Sequence, residues 1–229
     1  MEYDTLIPGK LVKRYKRFLA DILLEDGTVV TAHCPNSGSM KSCLEEGAPV
    51  YCSPVKDPKR KTRYTWEMIM INQQWVGINT SLPNILVKQW LESDLIPGFE
   101  AYSQFRREVK WQDSRFDLYG SGPDGECFIE VKNVTLKEDN RALFPDSVTD
   151  RGKKHLETLT RVHASGMRSV MIYVVQRTDV EVFAPAAEID PAYTSALLQA
   201  VEAGVEVIAV QARVSPGGID FLQLLPVRL

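Results

Sequence analysis

The sequence predicts an α/β protein in two parts, a small all-β barrel followed by a mixed-sheet α/β domain. Three observations predict it. Up to residue 82 the chain runs in strand-like stretches separated by turn signals. Beyond residue 82, helical stretches interleave with apolar, β-branched runs. The charge balance changes too: residues 1–82 carry 11 Lys and Arg against 9 Asp and Glu (+2), and the remainder carries 16 against 21 (−5), which together give −3 for the 229 residues. The change falls at Thr80-Ser81-Leu82-Pro83-Asn84, whose proline discourages continuation of a strand. The expected division is therefore 1–82 and 83–229.

In the first part, residues 11–24 read as one long strand, and Asp26-Gly27 turns the chain into Thr28-Val29-Val30-Thr31-Ala32. Further strands are expected at 49–55, 64–71 and, after an Asn72-Gln73-Gln74 turn, 75–78. A short helical stretch is expected near 40–46. About five strands with one short helix suit a closed or partly open OB-like barrel. In the second part, 86–91 has helical character and ends before Pro97-Gly98. Strands are expected at 102–111, 116–119 and 127–136, the last two separated by the turn cluster from Gly120 to Gly125. A helix over 151–164 has Asp150 or Thr149 to cap it and Gly166 to end it. A buried strand at 169–175, a helix at 191–203 and a strand at 205–212 complete an α/β domain with a mixed sheet.

Composition narrows the function classes. A content of 44% hydrophobic and 25% charged residues is that of a folded globular chain, not a disordered one. No apolar stretch reaches the ~18–20 residues that span a bilayer, and Met-Glu-Tyr-Asp does not open a secretory signal. The expectation is a cytoplasmic protein whose four cysteines (Cys34, Cys43, Cys52, Cys127) are reduced thiols. No C-x-x-C occurs, and His33, His155 and His163 lack the spacing of zinc ligands.

The chemistry concentrates in Cys127-Phe128-Ile129-Glu130-Val131-Lys132. Alternation puts Glu130 and Lys132 on one face and turns Ile129 and Val131 toward a core. Asp117, thirteen residues earlier, sits on the neighbouring strand, and a hairpin around the glycine-rich turn brings it near Glu130. Two carboxylates can hold a hard cation such as Mg²⁺ or Mn²⁺ through oxygen. The cation stabilises charge on a phosphate and acidifies a bound water, and the lysine orients that water or offsets developing charge. The simpler alternative is a cross-strand ion pair on a solvated face.

Asp117 followed by Glu130-x-Lys132, in the order helix, three strands, helix, strand, resembles the core of the PD-(D/E)xK nuclease superfamily; the proline that often precedes the aspartate is absent here. The whole chain is more closely similar to the sugar fermentation stimulation protein A family. The segments that carry this likeness are 32–40, 76–84, 114–117, 129–136 and 144–156, among them His33-Cys34-Pro35-Asn36-Ser37-Gly38-Ser39-Met40, Ser114-Arg115-Phe116-Asp117 and Phe144-Pro145-Asp146-Ser147. The resemblance implies an N-terminal OB-like DNA-binding domain, a C-terminal restriction-endonuclease-like mixed-sheet domain and DNA as partner. Catalysis is left open by it: a metal-dependent nuclease and a non-catalytic, sequence-neutral regulator of sugar metabolism genes both fit, with a small-molecule phosphodiesterase or a protein-interaction module as the third class. A homodimer is compatible with it, since nuclease-like domains that cut two strands act as pairs.

Secondary candidates surround this centre. Arg151 and His155 are four apart on one helix face and could grip a phosphate, or simply belong to a solvated face with Lys153 and Lys154. Glu108 is a weaker candidate for a third carboxylate, and Gln176 lies at the end of the buried strand. In the first part, Lys13, Arg14, Tyr15, Lys16 and Arg17 form one basic–aromatic stretch, with Lys13, Tyr15 and Arg17 expected to project together. Lys59, Arg60, Lys61 and Arg63, followed by Tyr64 and Trp66, form a second. Cations for phosphates and rings for bases are what single-strand-binding surfaces combine, so DNA, including single-stranded DNA of low sequence specificity, is the expected partner. The loops Asn36 to Met40 and Asn79 to Ser81 could cradle a phosphate or serve as tight turns, and His33 reads as a packed loop residue.

Overall fold

The computed structural model describes residues 1–123 and 125–229. Asp124, in the glycine-rich turn, lies outside the described residues.

Strands β1 (Ile7–Tyr15), β2 (Leu19–Leu24), β3 (Val29–His33), β4 (Pro49–Pro54), β5 (Tyr64–Ile71) and β6 (Gln74–Gly77) form one sheet in the order β3-β2-β1-β4-β5-β6. A further pairing of β3 with β5 closes the first five strands into an OB-like barrel. Its core holds Leu11, Ile22, Val50, Trp66 and Ile69, with Cys34, Cys43 and Cys52 among them. The expected strand over 11–24 is instead two strands. Lys16 and Arg17 adopt left-handed backbone conformations (φ 50° and 64°), and the three residues between Tyr15 and Leu19 turn the chain back on itself. Arg17 therefore leaves the alternation that was expected to align it with Lys13 and Tyr15. No helix forms near residues 40–46; Met40 is left-handed (φ 55°) and buried, and turns carry the chain from there to Gly47. The Asn72-Gln73 turn does join β5 to β6, with both residues left-handed as a tight two-residue hairpin requires.

Helix α1 (Pro83–Glu92) opens the second part with proline in its first turn. There follow β7 (Gln104–Trp111), β8 (Ser114–Gly122), β9 (Gly125–Val134), β10 (Leu136–Glu138), β11 (Arg141–Phe144), α2 (Asp150–Ala164), β12 (Arg168–Val175), β13 (Val182–Pro185), α3 (Pro191–Glu202), β14 (Glu206–Ser215) and β15 (Gly218–Leu225). Six strands make a mixed sheet in the order β15-β14-β12-β9-β8-β7, with β9, β12 and β14 parallel and the others antiparallel. With the short strands β10 and β11 set aside, α1, β7, β8, β9, α2 and β12 follow the expected order of helix, three strands, helix, strand. A three-stranded sheet, β10-β11-β13, and the terminal β15 were not anticipated. The strands of the small sheet have only three or four residues each, too short to show a period.

One apolar face of the large sheet packs on α2 and α3. The other packs on α1 and on Met68, Tyr51 and Trp75 of the first part, so one core cluster runs through both halves.

Candidate active site at the junction of the two halves

The β8–β9 hairpin sets the centre. Its register pairs Leu118 with Ile129 and Tyr119 with Phe128, which places Asp117 opposite Glu130 one step further. Ile129 and Val131 enter the core beneath α1, while Glu130 lies on the opposite face. The ladder stops there because the Asp117 side chain takes up the next backbone donor: its Oδ2 accepts from the Val131 N–H (2.9 Å). Asp117 Oδ1 accepts from the Asn84 carboxamide on α1 (2.7 Å).

Glu130 is only 2% exposed. Its Oε1 accepts from Lys132 Nζ (2.6 Å) and from the His155 ring on α2. Arg151 Nε donates to His155 Nε2 (3.4 Å), so His155 carries its proton on Nδ1, toward Glu130. Thr149 fixes the helix that delivers both residues, accepting from the Gly152 N–H (3.0 Å) as N-cap. Gly152 is close-packed here, since a Cβ would press on Thr149 and Tyr193.

The electrostatics of the two carboxylates diverge. Burial, reinforced by the Glu130 charge, pushes the Asp117 pKa up to about 6 despite its three favourable partners Val131, Lys132 and Asn84. Burial also pushes Glu130 upward, but the His155 hydrogen bond and the Lys132 charge outweigh it and hold this carboxyl below its usual value. Glu130 Oε2 is buried and has no hydrogen-bond partner among the described residues. Two adjacent carboxylates, half-buried Asp117 with its pKa raised and buried Glu130 with an oxygen unclaimed, fit a hard divalent cation.

A cavity of about 480 Å³ opens over this floor. One wall is α2's first turn with Thr149 and Arg151, and the other comes from the barrel: Arg17 of the β1–β2 turn with Asn36, Ser37 and Gly38. The trio Asp117, Glu130 and Lys132 thus meets Arg151, His155 and Arg17 in one place. Arg14 is placed differently. Its guanidinium donates to the backbone carbonyls of Arg17 (3.0 Å), Asn36 (2.9 Å) and Gly38 (2.9 Å), so it builds the barrel wall. Lys13 stands over the Tyr15 ring (5.6 Å), whose hydroxyl donates to Asp21 (3.0 Å), and Lys16 is exposed on the turn. Lys59, Arg60, Lys61 and Arg63 are exposed on the loop between β4 and β5. Burial and then the Arg60 charge lower the His33 pKa. Trp66 is fully buried and donates to the Met68 carbonyl (2.9 Å), so it is core and not a base-stacking ring. Glu108 has left-handed backbone (φ 56°) and faces Arg115 at 3.7 Å; it is no third carboxylate of the centre.

Sequence reasoning did not assign Asn84 or Asp146, although both lie in the segments that carry the family likeness. Asp146 Oδ2 accepts from Ser39 Oγ and the Met40 N–H (both 3.3 Å), and a Cβ at Gly38 would collide with its carboxylate. Gln176 is fully buried, and its Nε2 donates to Asn133 (2.5 Å), a residue of the cavity wall.

Comparison with known proteins agrees with this organisation. The family model described as the sugar fermentation stimulation protein RE domain matches residues 81–218, and that of the SfsA N-terminal OB domain matches residues 12–78. The sugar fermentation stimulation protein homolog of Geobacter sulfurreducens is 52% identical over 223 residues, covering 97% of this chain and 96% of its own. That of Geobacter metallireducens is 51% identical over 226 residues, covering 98% and 97%. The solved structure of Pyrococcus furiosus SfsA in complex with Ca²⁺ superposes with a TM-score of 0.92 at 27% identity, covering 100% of this chain and 98% of that one. The chain belongs to the sugar fermentation stimulation protein family.

Proposed function

We propose that this protein binds DNA and hydrolyses phosphodiester bonds with the help of Mg²⁺ or Mn²⁺. The observation that carries the reading is the unclaimed Oε2 of Glu130 beside Asp117, whose pKa is raised to about 6, in a cavity bordered by Arg17 and Arg151. Asp117 and Glu130 would hold the cation, which supplies charge stabilisation at the phosphate and a more acidic water. Asn84 and the Val131 N–H keep the Asp117 carboxylate oriented, and His155 keeps Glu130 in place. Lys132, at the edge of the cavity, orients the attacking water or offsets negative charge as it develops. Arg17, Arg151 and the exposed cations of the β4–β5 loop bind phosphates, which supports a first part (residues 1–82) that holds DNA and a second (83–229) that carries the chemistry. Ca²⁺ in the complex of the P. furiosus relative is consistent with hard-cation binding in this family. The four free, buried cysteines and the proposed DNA partner support a cytoplasmic location; among the described residues no helix is long and apolar enough to cross a membrane.

Incubating end-labelled single-stranded DNA and plasmid with Mn²⁺ tests the assignment. Asp117→Ala and Lys132→Ala should each lower cleavage at least ~100-fold, the scale of losing one preorganised charge-stabilising group. Cleavage that survives in both variants would sink the assignment. A second reading, regulation by DNA binding alone, is favoured by one observation: Lys132 and His155 both engage Glu130 Oε1, an arrangement that is also a neutralised structural cluster. It predicts salt-sensitive binding of DNA without cutting.

A further inference from the structure

Resting on that reading, we infer that Asn133 is a substrate-binding residue whose carboxamide nitrogen donates to a phosphate oxygen of the bound strand, and that Gln176 is the positioning residue that turns it that way. Asn133 follows Lys132 on β9 and lines the same cavity as Asp117 and Glu130. Its Oδ1 is taken, because Gln176 Nε2 donates to it (2.5 Å). Its Nδ2 finds no acceptor among the described residues and, unlike Glu130 Oε2, is not sealed from solvent. It is therefore the end left to the cavity.

The orientation does not rest on Asn133 alone. Gln176 is fully buried just past the end of β12 and is fixed by its backbone: its N–H donates to the Val134 carbonyl (3.0 Å), and its carbonyl accepts from the Gly77 N–H (2.9 Å). Its Nε2 lies 3.5 Å from the Asn79 carbonyl oxygen, which can only accept, so the nitrogen end of this carboxamide is turned toward Asn79 and Asn133. Asn133 must answer with its oxygen. Asn79 is itself held: its Nδ2 donates to buried Glu67 (2.7 Å), and its Oδ1 accepts from the Ser81 N–H (3.0 Å) and hydroxyl (2.6 Å). The far end of the Gln176 carboxamide makes no bond. Its Oε1 is buried without a partner, and a Cβ at Gly77 would stand 2.4 Å from it. Burying a carboxamide whose oxygen stays unpaired is unfavourable, so this side chain is not explained by stability; what it provides is a fixed orientation for Asn133. The surroundings name the acceptor. Arg17 and Arg151 bring positive charge to the same cavity, and a neutral carboxamide adds a directional donor for phosphate oxygen without adding charge.

Two substitutions separate this role from that of an anchor for Gln176. Asn133→Asp keeps an oxygen for Gln176 Nε2 and replaces the donor by a charge that repels phosphate. Asn133→Ala removes both ends. Binding of a labelled single strand of about 12 nucleotides, a length that an OB-like barrel engages, is measured in EDTA, with thermal melting to confirm that each variant folds. Asn133→Ala should raise Kd ~10-fold, the loss of one hydrogen bond to a charged acceptor, and Asn133→Asp should raise it further. An anchor predicts the reverse order. Asn133→Asp binding within about twofold of wild type overturns the inference while leaving the proposed function intact. In amide NMR spectra, the Asn133 side-chain pair, identified by its absence from Asn133→Asp, should shift when either the strand or inorganic phosphate is added. A shift with the strand alone would give the donor to a base or sugar and overturn the phosphate assignment. Gln176→Met keeps both backbone bonds and frees Asn133 to turn over, so the pair should lose its response and Kd should rise by a smaller factor; an unchanged response would remove Gln176 from the role. Wild type that binds the strand but never cuts it removes catalysis from the proposed function and leaves this inference standing. Wild type that binds neither strand nor phosphate ends both.

Discussion

Two buried clusters of charge lie close together in this molecule, and they differ in what is left over. In the first, Arg177, fully buried, donates to Asp179 with Nε (2.7 Å) and Nη2 (2.9 Å), and Lys137 adds a third bond (2.8 Å). The remaining Arg177 nitrogen reaches Thr135 and Ser42. Burial pushes the Asp179 carboxyl up, but these donors outweigh it and hold its pKa down at about 2. In the second, Glu130 keeps an oxygen without a partner and Asp117 is driven in the opposite direction, up to about 6. Burial is common to both. What separates a clamp from a candidate catalytic centre is whether every donor and acceptor has been matched.

The sharpest way to break the contrast is to unmatch the clamp. Arg177→Met leaves Asp179 without its bidentate partner and releases Ser42 and Thr135, and should destabilise the protein by ~3–5 kcal/mol. Urea denaturation measures it. A loss below ~1 kcal/mol would put the pair on a level with exposed salt bridges and remove the distinction.

Next in size is the response to pH, because the two aspartates shift in opposite senses. Asp117, with a folded pKa raised from 3.8 to about 6, favours folding fully below pH ~4, and that contribution is lost as pH rises through 6. Asp179, depressed to about 2, contributes above pH ~4 and loses its contribution as pH falls toward 2. With EDTA present, raising the pH from 4 to 8 should therefore lower stability by up to ~3 kcal/mol through Asp117. Mn²⁺ at a hundred times its Kd should return about 2.7 kcal/mol at pH 8. Denaturation of wild type and Asp117→Ala, each with and without Mn²⁺, isolates both effects. An unchanged pH slope together with an unchanged Mn²⁺ increment in the variant would show that Asp117 carries neither.

The smallest expected effect concerns delivery of residues to the open cluster. Thr149→Ala removes the N-cap of α2 and should cost ~1 kcal/mol. Since the first two turns of that helix carry Arg151 and His155, cleavage should fall more than global stability alone would suggest; proportionate loss would make the cap purely structural.

Much of the centre was legible because it is local. Period-two alternation placed Glu130 with Lys132, and a hairpin around one turn placed Asp117 opposite, a relation spanning thirteen residues. The helix carrying Arg151 and His155 was legible from its cap and its closing glycine. The misreadings share one cause, a local pattern overruled by contacts elsewhere. Residues 11–24 alternate like one strand, yet the barrel needs two there, and left-handed Lys16 and Arg17 supply the reversal without a glycine to announce it. Trp66, read beside a basic run, looked like a surface ring until the closed barrel enclosed it.

The sequence by itself determined the two-part order, the type of most strands and helices, and the trio Asp117, Glu130 and Lys132. It could do so because backbone periods, turn chemistry and helix caps act over a few residues. Only the tertiary structure decided that Arg17 and Arg151 line one cavity and that Arg14 builds a wall of it. The bond from Ser39 to Asp146 joins residues 107 apart and that from Arg177 to Ser42 joins residues 135 apart. No local period encodes such pairs; they exist because one apolar core runs through both halves and fixes their surfaces against each other.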